Sequence, residues 1–171
     1  MKPIKTADLC DEHGDALQVA TPVFRDFGSR ACFYGPAATI KVFEDNTLVR
    51  DALQTPSRNR VLVVDGGGSL RCALVGDKLA RLAIDNGWAG IVINGCIRDA
   101  REIEAMDIGI KAISVHPARS AKRGEGQQDV TVTFAGVAFE PGCYVYADRD
   151  GIVVSRKNLV DGEPGPETVL V

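Results

Sequence analysis

The order of the apolar runs most restricts what this chain can fold into. In the middle, Arg60 to Asp65 is a short run of β-formers sized for a buried strand, and Gly66-Gly67-Gly68 then lets the backbone turn sharply or pass close to another segment. A helix from Asp77 to Asn86 places Leu79, Leu82, Ala83 and Asn86 on one stripe, with Gly87 as its terminator. Ala89 to Asn94 reads as the next strand, and a further helix starts at Asp99. From there the chain turns β-rich, with strands expected at Ile110 to Val115, Val130 to Phe134, Tyr144 to Ala147 and Ile152 to Ser155. Central βα units followed by strands that can pair as hairpins predict an α/β sandwich rather than a doubly wound sheet.

The first third is scaffold on the same reading. Thr6-Ala7-Asp8-Leu9 opens a short helix, and Ala38 to Phe43 alternates as a half-buried strand. Asn46 is placed to cap a helix carrying Leu48, Val49, Ala52 and Leu53 on one face, with Pro56 beyond its end. One domain over residues 1–160 is expected, followed by a loose tail over 161–171 that is rich in Gly and Pro.

Composition excludes several classes of function. With 20 Lys+Arg against 23 Asp+Glu and a pI near 5.4, no basic stripe is available for a nucleic acid backbone. The five cysteines, at 10, 32, 72, 96 and 143, form no C-x-x-C pair and read as reduced, mostly buried thiols. The start of the chain lacks an apolar run and the most apolar stretches are strand-sized, so neither a secretion signal nor a membrane span is expected and a cytoplasmic location is. Gly66-Gly67-Gly68-Ser69-Leu70-Arg71 imitates a dinucleotide loop, but Arg71 stands where the third glycine would be needed. Cys96 has no motif joining it to His13 or His116, and Lys41 shares its strand parity with Thr39, which points it to solvent.

One cluster stands apart from this scaffold. Asp77 is followed by twenty residues, then Arg98-Asp99, then two residues and Glu102. Both halves fall where a short strand gives way to a helix, a place where N–H groups and side chains converge on anions. Capping explains part of the pattern, since Asp99 with Glu102 resembles a capping box and Asp77 resembles an N-cap. It leaves Arg98 unexplained, a guanidinium at a βα corner suited to gripping a carboxylate with two hydrogen bonds.

The segments Val63 to Arg71, Gly76-Asp77-Lys78-Leu79 and Gly87 to Asp99 resemble the RraA-like family, and the similarity runs from Asp8-Leu9-Cys10-Asp11 to Gly151-Ile152-Val153-Val154-Ser155. The resemblance implies an αββα sandwich of the swivelling β/β/α type, assembled as a homotrimer with sites near subunit boundaries. That family includes class II aldolases for 4-hydroxy-4-methyl-2-oxoglutarate and 4-carboxy-4-hydroxy-2-oxoadipate, which also decarboxylate oxaloacetate. Their signature is the spacing met here by Asp77, Arg98, Asp99 and Glu102. By resemblance, Asp99 is the divalent-metal ligand and Arg98 grips the substrate. Gly76 to Leu79 holds the substrate carboxylate, Asp77 helps Arg98 position a water, and Glu102 holds metal-bound water or merely caps.

Such chemistry suits these residue types. Breaking a carbon–carbon bond beside a 2-keto acid leaves charge on what becomes pyruvate enolate, and a Lewis acid offsets that charge. A lone hard carboxylate without histidine or thiolate companions points to Mg²⁺ or Mn²⁺. Asn94 and Lys78 are candidates for tuning substrate choice, and the base for the retro-aldol step is unassigned, with another subunit open as its source. Two rival readings come with the resemblance: a protein regulator that binds and restrains ribonuclease E, and a trimeric scaffold whose acids are only caps. Pro36 in Tyr34-Gly35-Pro36 is a departure from related chains, which often carry paired glycines there, and it puts the pairing of that strand in question.

Overall fold

β-structure dominates residues 4–160, which the computed structural model of the protein describes. The elements are α1 (Thr6–His13), a 3-10 turn (Gly14–Ala16), β1 (Gln18–Val19), β2 (Arg25–Phe27), β3 (Phe33–Lys41), α2 (Thr47–Leu53), β4 (Val61–Asp65) and β5 (Ala73–Val75). They continue with α3 (Asp77–Asp85), β6 (Gly90–Ile97), α4 (Ala100–Glu104), β7 (Gly109–Val115), β8 (Gln127–Gln128), β9 (Val132–Phe134), β10 (Val137–Phe139), β11 (Tyr144–Ala147) and β12 (Ile152–Ser155). The tail expected from Asp161 lies outside the described residues.

The main sheet runs β1-β12-β11-β3-β4-β6-β7-β2. Its centre, β3, β4, β6 and β7, is parallel, while β11, β12 and β1 on one side and β2 on the other are antiparallel. The anticipated hairpin of the last two strands forms, β11 pairing with β12, and β9 pairs with an unexpected β10 in a separate ribbon. β3 curls the sheet because it serves both halves, pairing antiparallel with β11 over Phe33 to Pro36 and parallel with β4 over Ala37 to Lys41. Pro36 sits at that changeover, where the N–H it lacks falls between two pairing schemes.

Alternation along the central strands then sorts side chains into layers. Leu62 and Val64 of β4 and Ile91 and Ile93 of β6 face Val49, Leu53, Leu79, Ala83 and Ile103 of α2, α3 and α4. Val61, Val63 and Val92 point the other way, toward Phe134, Val137, Phe139, Val145 and Val154. Beyond that second sheet layer, Tyr34, Tyr146 and Val153 pack against Leu9 of α1, the two tyrosine rings stacked with centroids 5.7 Å apart. The result is the expected α/β/β/α sandwich, each fully buried aliphatic or aromatic side chain contributing roughly 1.5–3 kcal/mol. Phe33 ties the two sheet layers together. Its ring lies against Gly90 and Gly109, opposite each other on β6 and β7, and a Cβ at either glycine would overlap it.

Several local expectations need correction. The strand read as Ala38 to Phe43 runs from Phe33 to Lys41 and is buried on both faces, with Thr39 donating to the Val130 carbonyl at 2.6 Å; only Lys41 at its end is exposed. Asn46 does not cap α2 with its side chain, because its amide donates to the Leu74 carbonyl. The first N–H of α2, from Thr47, goes instead to the Asp45 carboxylate at 2.9 Å. Gly87 does close α3 as expected: it has φ 72, its N–H reaches the Ile84 carbonyl, and that of Trp88 reaches the Ala83 carbonyl.

The first N–H of α1 goes to a carboxylate distant in sequence. Asp148, just past β11, accepts from the Thr6 N–H and hydroxyl, both at 2.7 Å, and from the N–H groups of Asp150 and Gly151. Buried Lys111 donates to the Asp148 carbonyl and pairs with Asp26 at 2.6 Å. Burial alone would raise the pKa of Asp148, but the donors from Thr6, Asp150 and Gly151 outweigh it and hold the carboxyl below its ordinary value of 3.8.

Asp148→Ala strands the Thr6 donors and should lower the unfolding free energy at pH 7 by about 2–3 kcal/mol. A folded pKa below the unfolded one stabilises fully above about pH 4, and this is lost as pH falls through the folded value. Urea unfolding of both proteins should therefore show the gap between them narrowing at pH 3. Gly90→Ala forces the Phe33 ring from its slot and should cost about 3 kcal/mol by the same measurement.

Candidate functional site

Two strand ends build the site. β5 lies parallel to β6, pairing Ala73 with Cys96 and Val75 with Ile97, and the Arg98 N–H continues the ladder to the Val75 carbonyl at 2.9 Å. This sets Gly76, the residue before α3, beside Arg98 and Asp99, the residues before α4. Asp99 adopts φ 56 and ψ 38, in the left-handed region that Asp tolerates better than most side chains. Through that corner its carboxylate leaves its own helix and faces α3. Asp99 Oδ2 accepts the Asp77 N–H at 3.2 Å and lies 3.7 Å from Arg98 Nε.

The expected capping box at Asp99 is therefore absent: the Asp99 side chain makes no cap hydrogen bond to α4 and takes the first N–H of α3 instead. Asp77 is likewise the first residue of α3 and not its cap, with Oδ1 accepting from the Lys78 N–H at 2.7 Å. Gly76 holds the capping place for a steric reason. A Cβ there would lie 2.5 Å from Asp99 Oδ2, so a side chain would expel the carboxylate.

Above this corner lies a cleft of about 380 Å³. Gly76, Asp77, Lys78, Leu79, Arg98 and Asp99 all line it, so the structure brings these six expected site residues together. Glu102 is exposed on α4 and does not line it. Asn94 is also elsewhere, donating to Asp65 Oδ1 at 2.9 Å beside the glycine turn. Other lining residues were not anticipated: Asn46 just before α2, Arg50 within it, and Arg119, Ser120 and Lys122 from the segment after β7. The basic cluster Arg119, Lys122 and Arg123 in an acidic chain was the available signal for the latter. In all, Arg50, Lys78, Arg98, Arg119 and Lys122 outnumber Asp77 and Asp99, which suits an anionic ligand.

The segment carrying Arg119 is stitched across the cleft. His116 N–H donates to the Ile97 carbonyl at 2.9 Å, and the Ala118 carbonyl accepts from the Ala73 N–H at 2.8 Å. Ala121 exchanges hydrogen bonds with Glu44 and Asn46, and the Arg123 N–H reaches the Asp45 carboxylate. Burial raises the pKa of Asp45, but the donors from Thr47 and Arg123 bring it below its usual value.

The groups set aside from the sequence stay out of the site. Burial pushes the Cys72 and Cys96 thiols up and takes Cys143 to about 11, so none of the three is poised as a thiolate. His116 Nδ1 accepts from the nearby Ala118 N–H, and His13 pairs with Glu12 on α1. Among the described residues no group of three or more His, Cys, Asp or Glu side chains could hold a metal. A cation at Asp99 would then have one protein carboxylate and complete its shell from water and ligand oxygens. That donor set fits Mg²⁺ or Mn²⁺ and does not fit zinc.

Known proteins share this architecture. A protein of Alkalilimnicola ehrlichii, provisionally named as a 4-hydroxy-4-methyl-2-oxoglutarate aldolase, is 57% identical over 157 residues, covering 92% of this chain and 98% of its own. A Cupriavidus necator protein with the same provisional name is 57% identical over 164 residues, covering 93% and 99%. Among solved structures, one from Geobacillus kaustophilus titled as an S-adenosylmethionine:2-dimethylmenaquinone methyltransferase superposes with a TM-score of 0.91 at 54% identity, covering 93% of this chain and 99% of its own. A second, titled as the RNA-processing inhibitor RraA from Thermus thermophilis, gives 0.88 at 42% identity, covering 94% and 98%. Three different functions are named on one fold, so the fold alone selects none of them. The RraA-like family model, described as Aldolase/RraA, matches residues 6–154, and the chain belongs to that family.

Proposed function

We propose that this protein is a divalent-metal-dependent carbon–carbon lyase. It would cleave 4-hydroxy-4-methyl-2-oxoglutarate or 4-carboxy-4-hydroxy-2-oxoadipate to pyruvate products and decarboxylate oxaloacetate at the same site. The observation that carries the reading is the corner where Arg98 and Asp99 meet the N-terminus of α3 with only a glycine between them. The names borne by relatives at 57% identity support it.

In this reading Arg98 and the first turn of α3 bind the keto-acid end of the substrate. Cleavage of the bond between C3 and C4 leaves an electron pair on C3 that delocalises onto the keto oxygen, where the Arg98 guanidinium offsets the developing charge. In the aldolase the C4 hydroxyl gives its proton to water as C4 becomes a carbonyl, while in the decarboxylase C4 departs as carbon dioxide. A proton then returns to C3, from a water positioned by Asp77 and Arg98, and pyruvate is released. Mg²⁺ or Mn²⁺ held by Asp99, with Glu102 reaching it only through water, would supply Lewis-acid stabilisation of the same charge. Assembly as a homotrimer belongs to the reading.

The Thermus structure titled as an RNA-processing inhibitor favours a second reading, a regulator that binds ribonuclease E. A formal net charge of −3 suits a protein partner better than RNA.

Pyruvate formation from oxaloacetate should require Mg²⁺, stop with EDTA, and fall about 100-fold or more in Asp99→Ala. Turnover that is indifferent to metal and to that substitution would reject the assignment. Gly76→Ala tests the corner itself: turnover should fall at least as far, while urea unfolding stays within about 1 kcal/mol of the parent because the displaced group is a partly exposed side chain.

A further inference from the structure

The cleft continues past the reacting corner. Arg119 and Ser120 line it and also line a second cavity of about 510 Å³, and no other described residue lines both. The backbone around them is fixed on both sides, with Ala118 bonded to Ala73 and Ala121 bonded to Glu44. Arg119 is exposed and has no ion-pair partner among the described residues, whereas neighbouring Arg71 is held by Glu44 at 2.6 Å. Ser120 is 7% exposed, and its hydroxyl has no hydrogen-bond partner among the described residues. Native proteins seldom leave such a group unmatched, and a turn about χ1 between staggered wells is a small motion that would bring it a partner from the cavity.

Substrate chemistry says what would lie there. The three substrates share the C1 carboxylate, the C2 ketone and the broken C3–C4 bond. In oxaloacetate C4 is itself the departing carboxylate. In 4-hydroxy-4-methyl-2-oxoglutarate the second carboxylate hangs one bond farther out, and 4-carboxy-4-hydroxy-2-oxoadipate adds a carboxymethyl arm. We propose that Arg119, with the adjacent Ser120 hydroxyl, is the clamp for the carboxylate beyond the cleaved bond and sets the preference for aldol substrates over oxaloacetate. The inference rests on the lyase reading. The planar fork of Arg119 matches a carboxylate with two hydrogen bonds, a match Lys122 in the same cleft cannot make.

Steady-state kinetics on both substrates test it in Arg119→Gln, Arg119→Lys and Ser120→Ala. The ratio of kcat/KM for 4-hydroxy-4-methyl-2-oxoglutarate to that for oxaloacetate should fall about tenfold or more in Arg119→Gln, chiefly through KM. Arg119→Lys should recover part of the loss, and Ser120→Ala should move the ratio the same way without lowering Tm. An unchanged ratio, or equal losses on both substrates, overturns the clamp. Wild-type protein is the control: if it makes no pyruvate from oxaloacetate with Mg²⁺, the lyase reading fails and the clamp with it. Metal-dependent turnover with an unmoved ratio sinks the clamp alone.

Discussion

Strand β3 serves both halves of the curled main sheet, and that shared membership is what the other layers depend on. Its first half needs an antiparallel neighbour and its second half a parallel one, so the sheet must curl where the two meet. Pro36 makes the change of partner inexpensive, because a residue without an N–H interrupts no ladder there. Phe33 then reaches across to the glycine slot formed by β6 and β7. The parallel half lies against β4 and so positions β6, whose far end carries the Arg98 and Asp99 corner.

A second rule recurs at the helices. The first N–H of α1, α2 and α3 is taken by Asp148, Asp45 and Asp99 respectively, none of which is the cap residue of the helix it serves. For α1 the arrangement fixes the helix to the end of β11, and for α2 it joins the helix start to the Arg123 segment through Asp45. At α3 it does more, because the same carboxylate lies beside a guanidinium and opens onto a cleft. The scaffold reading and the functional one therefore share a single side chain: Asp99 is a cap, but for a helix other than the one its sequence position suggests.

Much of this was legible from residue order. Strands β4, β7, β11 and β12 and helix α3 follow from apolar runs and glycine stops, since burial on known faces dictates those patterns. Strands β1, β2, β5, β8 and β10 carry two or three residues each, too few to show a period, and they exist through their neighbours. The site divides the same way. Its two βα corners are local and could be read, whereas Arg50 and Arg119 reach the cleft only through long-range pairing. The expected caps fail at Asp77 and Asp99 because the carboxylate serving α3 comes from another segment, 22 residues on, and at Asn46 because Asp45, one residue earlier, takes the Thr47 N–H.

The left-handed backbone at Asp99 has an evolutionary corollary. Asparagine and glycine occupy that conformation at least as readily as aspartate. Either could replace it with the backbone turn preserved and the charge gone, and asparagine would also keep an oxygen for the Asp77 N–H. A descendant one codon away would thus inherit the whole sandwich with the Asp99 carboxylate erased from its cleft. Lineages on this scaffold can gain or lose that charge without ever passing through an unfolded ancestor.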